Sequence, residues 1–149
     1  KKYMQNTQLK GVLTEQKCFL KCIEMGYIVS KPLFDNARYD FILDIGKQKL
    51  LRIQVKTSHW KDEEHSGFIF NCYSQHSLSD GTKRMKYNKE DADYFMTEQN
   101  GIFYLYPVPE VGQELKEKTL RVLPTKTGQV KNISFAKDYI FEEVIKSID

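Results

Sequence analysis

The stretch Arg38–Ser58, RYDFILDIGKQKLLRIQVKTS, carries Asp40, Gln54 and Lys56 inside two otherwise apolar runs. An acid, an amide and an ammonium are each costly to bury without a partner, and none of them builds a core. Their common placement calls for a chemical reason. Asp40 offers a hard carboxylate oxygen and Gln54 an amide carbonyl, while the backbone carbonyl of Val55 offers a third oxygen. Oxygen donors combined with retained waters are what Mg²⁺ prefers. Lys56 supplies a point charge that can steady an attacking water, a phosphate oxygen or the charge developing on phosphorus. A single carboxylate holds a divalent ion weakly, and Glu15, upstream, is positioned to add a second. These residue types allow ion-assisted hydrolysis of a phosphodiester, with Asp40, Gln54, Val55 and Glu15 as the metal ligands and Lys56 as the cationic partner.

The elements that must position these groups follow from the spacing of apolar residues. In YDFILDI, Tyr39, Phe41, Leu43 and Ile45 alternate with Asp40, Ile42 and Asp44; in LLRIQVK, Leu51, Ile53 and Val55 alternate with Arg52, Gln54 and Lys56. That period of two predicts a pair of strands, with Gly46-Lys47-Gln48 as the turn between them. An antiparallel hairpin centred near Lys47 sets Asp40 opposite Gln54 and Lys56 two residues further along the same face. Directly opposed Cβ atoms are about 5 Å apart, so the three side chains converge. Upstream, Leu9, Val12, Leu13, Phe19, Leu20 and Ile23 recur at helical spacing and predict a helix whose apolar face packs inward, with Gly26 as its stop. Glu15 lies on the flank of that stripe, so it needs a partner: a metal, or a salt bridge to Lys56 or Arg38.

Further along, Tyr27–Ser30 reads as a short strand and Gly67–Tyr73 as another. Ser74–Tyr87 reads as a loop bearing Lys83, Arg84 and Lys86, and Asn88 as the cap of a short helix reaching Asp93. YFMTEQNGIFYLYPV predicts a second hairpin turning at Asn100-Gly101, and Lys118–Leu123 an edge strand. Phe135, Tyr139, Ile140, Val144 and Ile148 mark a closing helix. The sum is a mixed α/β domain with a central sheet.

Composition sets outer bounds. A chain of 149 residues, 40% hydrophobic and 13% aromatic, fits one globular domain spanning 1–149. No run approaches the roughly 18 apolar residues of a membrane span, and the polar start KKYMQNTQ predicts no secretory signal. Cys18, Cys22 and Cys72 suit buried thiols better than a disulfide framework, which implies a reducing cytoplasm. The net charge of +3 decides little, but its distribution is informative: the basic cluster is preceded by the acidic Asp62, Glu63 and Glu64. His59, His65 and His76 do not have zinc-site spacing.

Asp40 followed by Gln54-Val55-Lys56 on a hairpin behind a helix bearing Glu15 resembles the core of the PD-(D/E)XK nucleases. Phe34–Asp40 takes the place of the P-D element with no proline just before Asp40, and Gln54 replaces the usual acid. GVLTEQKCFLKCIEMGY, DNARYDFIL, RIQVKTS and DADYF make the chain, over about Leu9 to Leu123, similar to the homing endonucleases of bacterial group I introns that carry this fold. The resemblance implies a restriction-endonuclease-like mixed β-sheet core flanked by helices, Mg²⁺ as cofactor, and site-specific cleavage of double-stranded DNA. One such domain is roughly 15 Å in radius of gyration and spans about one turn of duplex. One site cuts one strand, so a homodimer or a homotetramer (a dimer of dimers) on a near-palindromic target is expected. Tyr73, Gln75 and His76 are expected at base edges, Lys83, Arg84 and Lys86 at phosphates, and Arg38, Ser58 and His59 close to the DNA as well; Trp60 is a candidate wedge. Other readings are a Holliday-junction resolvase or restriction enzyme of the same fold, a catalytically degenerate DNA-binding module, or an RNA-processing nuclease.

Overall fold

The computed structural model describes residues 3–148; Lys1, Lys2 and Asp149 lie outside the described residues. Helix α1 (Asn6–Glu24) comes first. It closes as the Gly26 motif predicts: Gly26 takes a φ of +85°, and the N–H groups of Gly26 and Tyr27 satisfy the last carbonyls, at Ile23 and Cys22. Strands β1 (Ile28–Ser30), β2 (Phe41–Asp44) and β3 (Leu50–Val55) follow, then β8 (Tyr94–Gln99) and β9 (Ile102–Pro107), completing a five-stranded sheet in the order β1-β2-β3-β8-β9. All its neighbours are antiparallel except β3 and β8. The predicted hairpin registers as expected, with Phe41 opposite Ile53 and the Asp40 N–H bonded to the Ile53 carbonyl at 2.8 Å. The second hairpin turns at Asn100 (φ +55°) and Gly101 (φ +82°), the left-handed pair that a two-residue turn requires.

The sheet has a packed layer on each face. On one, Phe41, Leu43, Ile53, Val55, Met96 and Leu105 meet Cys18 and Cys22 of α1 and Phe141 and Ile145 of α2 (Phe141–Ser147). On the other, Phe95 and Tyr104 meet Phe68, Phe70, Tyr87 and Leu120. This second layer includes a three-stranded sheet in the order β10-β5-β4, built from β4 (His59–Trp60), β5 (Gly67–Asn71) and β10 (Glu117–Arg121). Close approach of β10 needs the bare glycine at position 67, where a Cβ would lie 2.9 Å from the Leu120 carbonyl oxygen.

Four sequence expectations are corrected here. The inward face of α1 is Thr14, Cys18 and Cys22, three small residues that let the helix lie close to the sheet. Leu9, Val12, Leu13, Leu20 and Ile23 point away, 44–54% exposed; of the predicted stripe only Phe19 turns in, edge-on to Phe41. The predicted loop Ser74–Tyr87 is a two-stranded ribbon, β6 (Tyr73–Leu78) and β7 (Gly81–Lys86), which forms a sheet of its own. Asn88 caps no helix; its side chain accepts from the Glu90 N–H at 2.9 Å in a local turn. The closing helix divides into a 3-10 turn (Ala136–Tyr139) and the short α2, because Ile140 adopts an extended conformation between them.

Candidate active site

Asp40 stands just before β2, where its main chain is fixed by Ile53 and its carboxylate Oδ2 accepts the Val55 N–H at 2.7 Å. Its carboxylate is thereby tied to the end of β3, beside Gln54. Burial pushes the Asp40 pKa up to about 6; the Val55 hydrogen bond opposes this, the nearby Glu15 carboxylate adds to it, and Lys56 and Lys31 pull it back. Gln54 Nε2 donates to the Val55 carbonyl at 3.3 Å. Glu15, Asp40, Gln54, Val55, Gly11 and Thr57 share the wall of one cleft of about 540 Å³ between α1 and the hairpin. Glu15 has an ion-pair partner, but it is Lys31 at 3.6 Å instead of Lys56 or Arg38, because β1 runs out beside α1 and brings Lys31 to it.

Lys56 has a different set of partners. Its Nζ donates to Asn71 Oδ1 at 2.9 Å and to the Tyr73 carbonyl at 2.6 Å, and sits 5.0 Å from the centre of the Tyr87 ring. Burial lowers its pKa to about 8, with Cys72 and Asp40 raising it and Arg38 lowering it further. An ammonium has three N–H donors, so two fixed bonds leave one for an incoming group. Asn71, Tyr87, Lys31 and Thr57 were not singled out in the sequence; Asn71 was the most legible of them, as a polar residue closing the apolar run GFIF.

The expected DNA contacts divide. On the ribbon, Tyr73 pairs with Lys86 and Gln75 with Arg84 on one face, and His76 with Lys83 on the other. Arg84 lies over the Tyr73 ring at 4.8 Å. Gln75, His76, Lys83, Arg84 and Lys86 are all exposed, as is His59 on β4. Two of the expected contacts turn inward. Ser58 is 2% exposed, its hydroxyl held by the Glu98 carbonyl at 2.8 Å and Gln99 Oε1 at 2.7 Å. Arg38 spends its guanidinium on Asp91, Ser74 and the carbonyls of Met85 and Lys86. Trp60 stacks on His65 at 4.1 Å and packs edge-on to Phe68, a packing role.

Among the described residues no three His, Cys, Asp or Glu side chains gather as a metal cluster. The cleft is lined by residues that offer oxygen donors: the half-buried Asp40 carboxylate, the Glu15 carboxylate, the Gln54 amide and the Val55 main-chain carbonyl, which accepts from Gln54 Nε2. That set fits a hard divalent cation and excludes a soft one.

An acid and an Xaa-Val-Lys strand on a hairpin, backed by a helix and set in a mixed sheet, define a nuclease class, and the family comparison agrees. The PD-(D/E)XK endonuclease model matches residues 5–142, and the chain belongs to that family. Such nucleases generally use divalent metals. Among solved structures it is similar to a bacterial homing endonuclease, I-Ssp6803I, with 23% identity over 95% of each chain and a TM-score of 0.70, a likeness of fold. No curated protein matches the chain.

Proposed function

We propose that this chain is a Mg²⁺-dependent, sequence-specific endonuclease of double-stranded DNA, of the intron-homing kind, acting as a single domain over 1–149. The observation that carries this reading is the shared cleft lined by Asp40, Gln54, Val55 and Glu15, with Lys56 near enough to Asp40 to act on its carboxylate. Asp40, Gln54, the Val55 carbonyl and Glu15 would hold the ion. Mg²⁺, when bound, supplies the positive charge that polarises the phosphate and acidifies the attacking water. Lys56 directs its remaining N–H at the reacting phosphate or its water, in a position set by Asn71 and Tyr73. Asp40, ionised above about pH 6, orients the nucleophile for in-line attack.

The ribbon supports the DNA reading. A two-stranded β-ribbon fits the major groove, and its exposed Gln75 and His76 have the chemistry to read base edges, Gln75 being able to bond adenine bidentately. Lys83, Arg84 and Lys86 would hold phosphates, with Tyr73 at the ribbon's root and His59 on the flank. The likeness to a homing endonuclease supports the homing assignment, and the small breadth of the chain supports a homodimer or dimer of dimers on a near-palindromic site. The three buried thiols suit a reducing cytoplasm, and among the described residues no helix is long and apolar enough to cross a membrane.

Selection of cleaved products from a randomised duplex library with Mg²⁺ tests the whole reading. It should return a defined near-palindromic site. Enrichment of bound but uncut duplexes would favour a DNA-binding module, and preferential cutting of a four-way junction would favour a resolvase.

A further inference from the structure

The ribbon and the site share one joint. The ribbon's two legs meet at its root, where the Tyr87 N–H bonds the Cys72 carbonyl at 3.2 Å. The incoming leg is held by Lys56, through the Tyr73 carbonyl. The outgoing leg is held by Arg38, through the carbonyls of Met85 (2.8 Å) and Lys86 (3.0 Å), and a bond to Ser74 Oγ at 3.1 Å ties in the incoming leg as well. Asp91 anchors the guanidinium at 2.8 Å. Arg38 and Lys56 also meet at a single ring: their charged ends lie 4.1 and 5.0 Å from the centre of Tyr87. Arg38 is two residues before Asp40 in sequence, and Lys56 is two after Gln54, so residues flanking both strands of the site hairpin grip the root of the ribbon.

We propose that Arg38 is a positioning residue that locks the root of the β6–β7 ribbon against Tyr87, and so holds the Tyr73 carbonyl in the place that aligns the Lys56 ammonium. A planar fork with five donors can bond two carbonyls, a hydroxyl and a carboxylate while stacking on a ring, which a lysine cannot do. Loosening that fork lets the ribbon root shift, and the Tyr73 carbonyl that fixes Lys56 shifts with it. Displacement of a catalytic group by about 1 Å is enough to cost about 10²-fold in rate. The inference rests on the nuclease reading above.

The test is single-turnover cleavage of the selected duplex at increasing protein concentration, which separates the limiting rate from the half-saturating concentration. Arg38→Gln should lower the limiting rate at least tenfold while moving half-saturation less than threefold, and Arg38→Lys should not rescue it. Ser74→Ala, a milder change that keeps the fold, should lower the rate a few-fold. Arg38→Gln combined with Asn71→Ala should lose less than the product of the single losses, because both act on one ammonium. An unchanged limiting rate, a change in half-saturation alone, or multiplicative losses overturns the proposal. A wild-type protein that cuts no duplex defeats the nuclease reading, and this inference with it; wild-type cutting with unaffected Arg38 variants defeats this inference alone.

Discussion

At the scale of single residues, the site holds two ionisable groups that burial pushes in opposite directions: the Asp40 pKa is raised to about 6 and that of Lys56 lowered to about 8. At subsaturating Mg²⁺, cleavage should rise with pH through about 6 as Asp40 ionises, and fall above about 8 as Lys56 loses its proton; a flat profile across that window would remove their assigned roles. The same shift has a consequence for stability. A carboxyl whose folded pKa lies above its unfolded value of 3.8 contributes its full stabilisation below that value, and the benefit is lost progressively as pH rises through about 6. Asp40→Asn should therefore melt a few degrees above wild type at pH 7.5, with the difference fading below pH 4, while cleavage drops about 10²–10³-fold. Gln54→Glu restores the usual acid, and a further negative charge beside Asp40 and Glu15 should lower the Mg²⁺ needed for half-maximal cutting several-fold; an unchanged requirement would mean that Gln54 does not face the ion. Asp40 and Lys56 were legible in the sequence because a charge inside an alternating apolar strand has few reasons to be there. The partners of Glu15 and Lys56 were not, since Lys31 and Asn71 reach them from elements whose placement depends on the whole sheet.

At the scale of elements, what was readable was what local patterning dictates. The Asp40–Lys56 hairpin and the Asn100-Gly101 hairpin form in their expected registers, because period-two alternation and turn chemistry are short-range signals. The ribbon was missed because Tyr73–Lys86 has no apolar face to alternate: nearly every residue in it is exposed. The inward face of α1 was misread because the sheet accepts small residues there, so Thr14, Cys18 and Cys22 go in and the larger side chains stay out. Close packing overrode hydrophobicity. A ribbon so exposed has no evident role in the core, and its basic residues can be tested directly. Lys83→Ala should weaken duplex binding similarly for cognate and unrelated sequences and reduce the slope of log affinity against log salt by about 1. Gln75→Ala should instead weaken only the cognate site, by about 1–3 kcal/mol. Equal loss on both duplexes in the second case would assign Gln75 to the backbone.

At the scale of the molecule, a chain with a single candidate active-site cleft is expected, under the proposed function, to cut one strand. Assemblies mixed from wild-type and Lys56→Ala chains should accumulate nicked plasmid, whereas wild-type assemblies give linear product; linear product from the mixed assemblies would mean that one cleft cuts both strands. The account as a whole stands on Asp40, Gln54 and Lys56 serving a single reaction centre. The most direct measurement is cleavage of the selected duplex by saturating wild-type and Lys56→Ala protein, each with Mg²⁺ and with EDTA, beside the binding of the same duplex. The account predicts cutting only by wild type with Mg²⁺, a loss of about 10²–10³-fold or more for Lys56→Ala, and binding within a few-fold of wild type for the variant. Undiminished cutting by Lys56→Ala, or cutting by wild type that persists in EDTA, would contradict it.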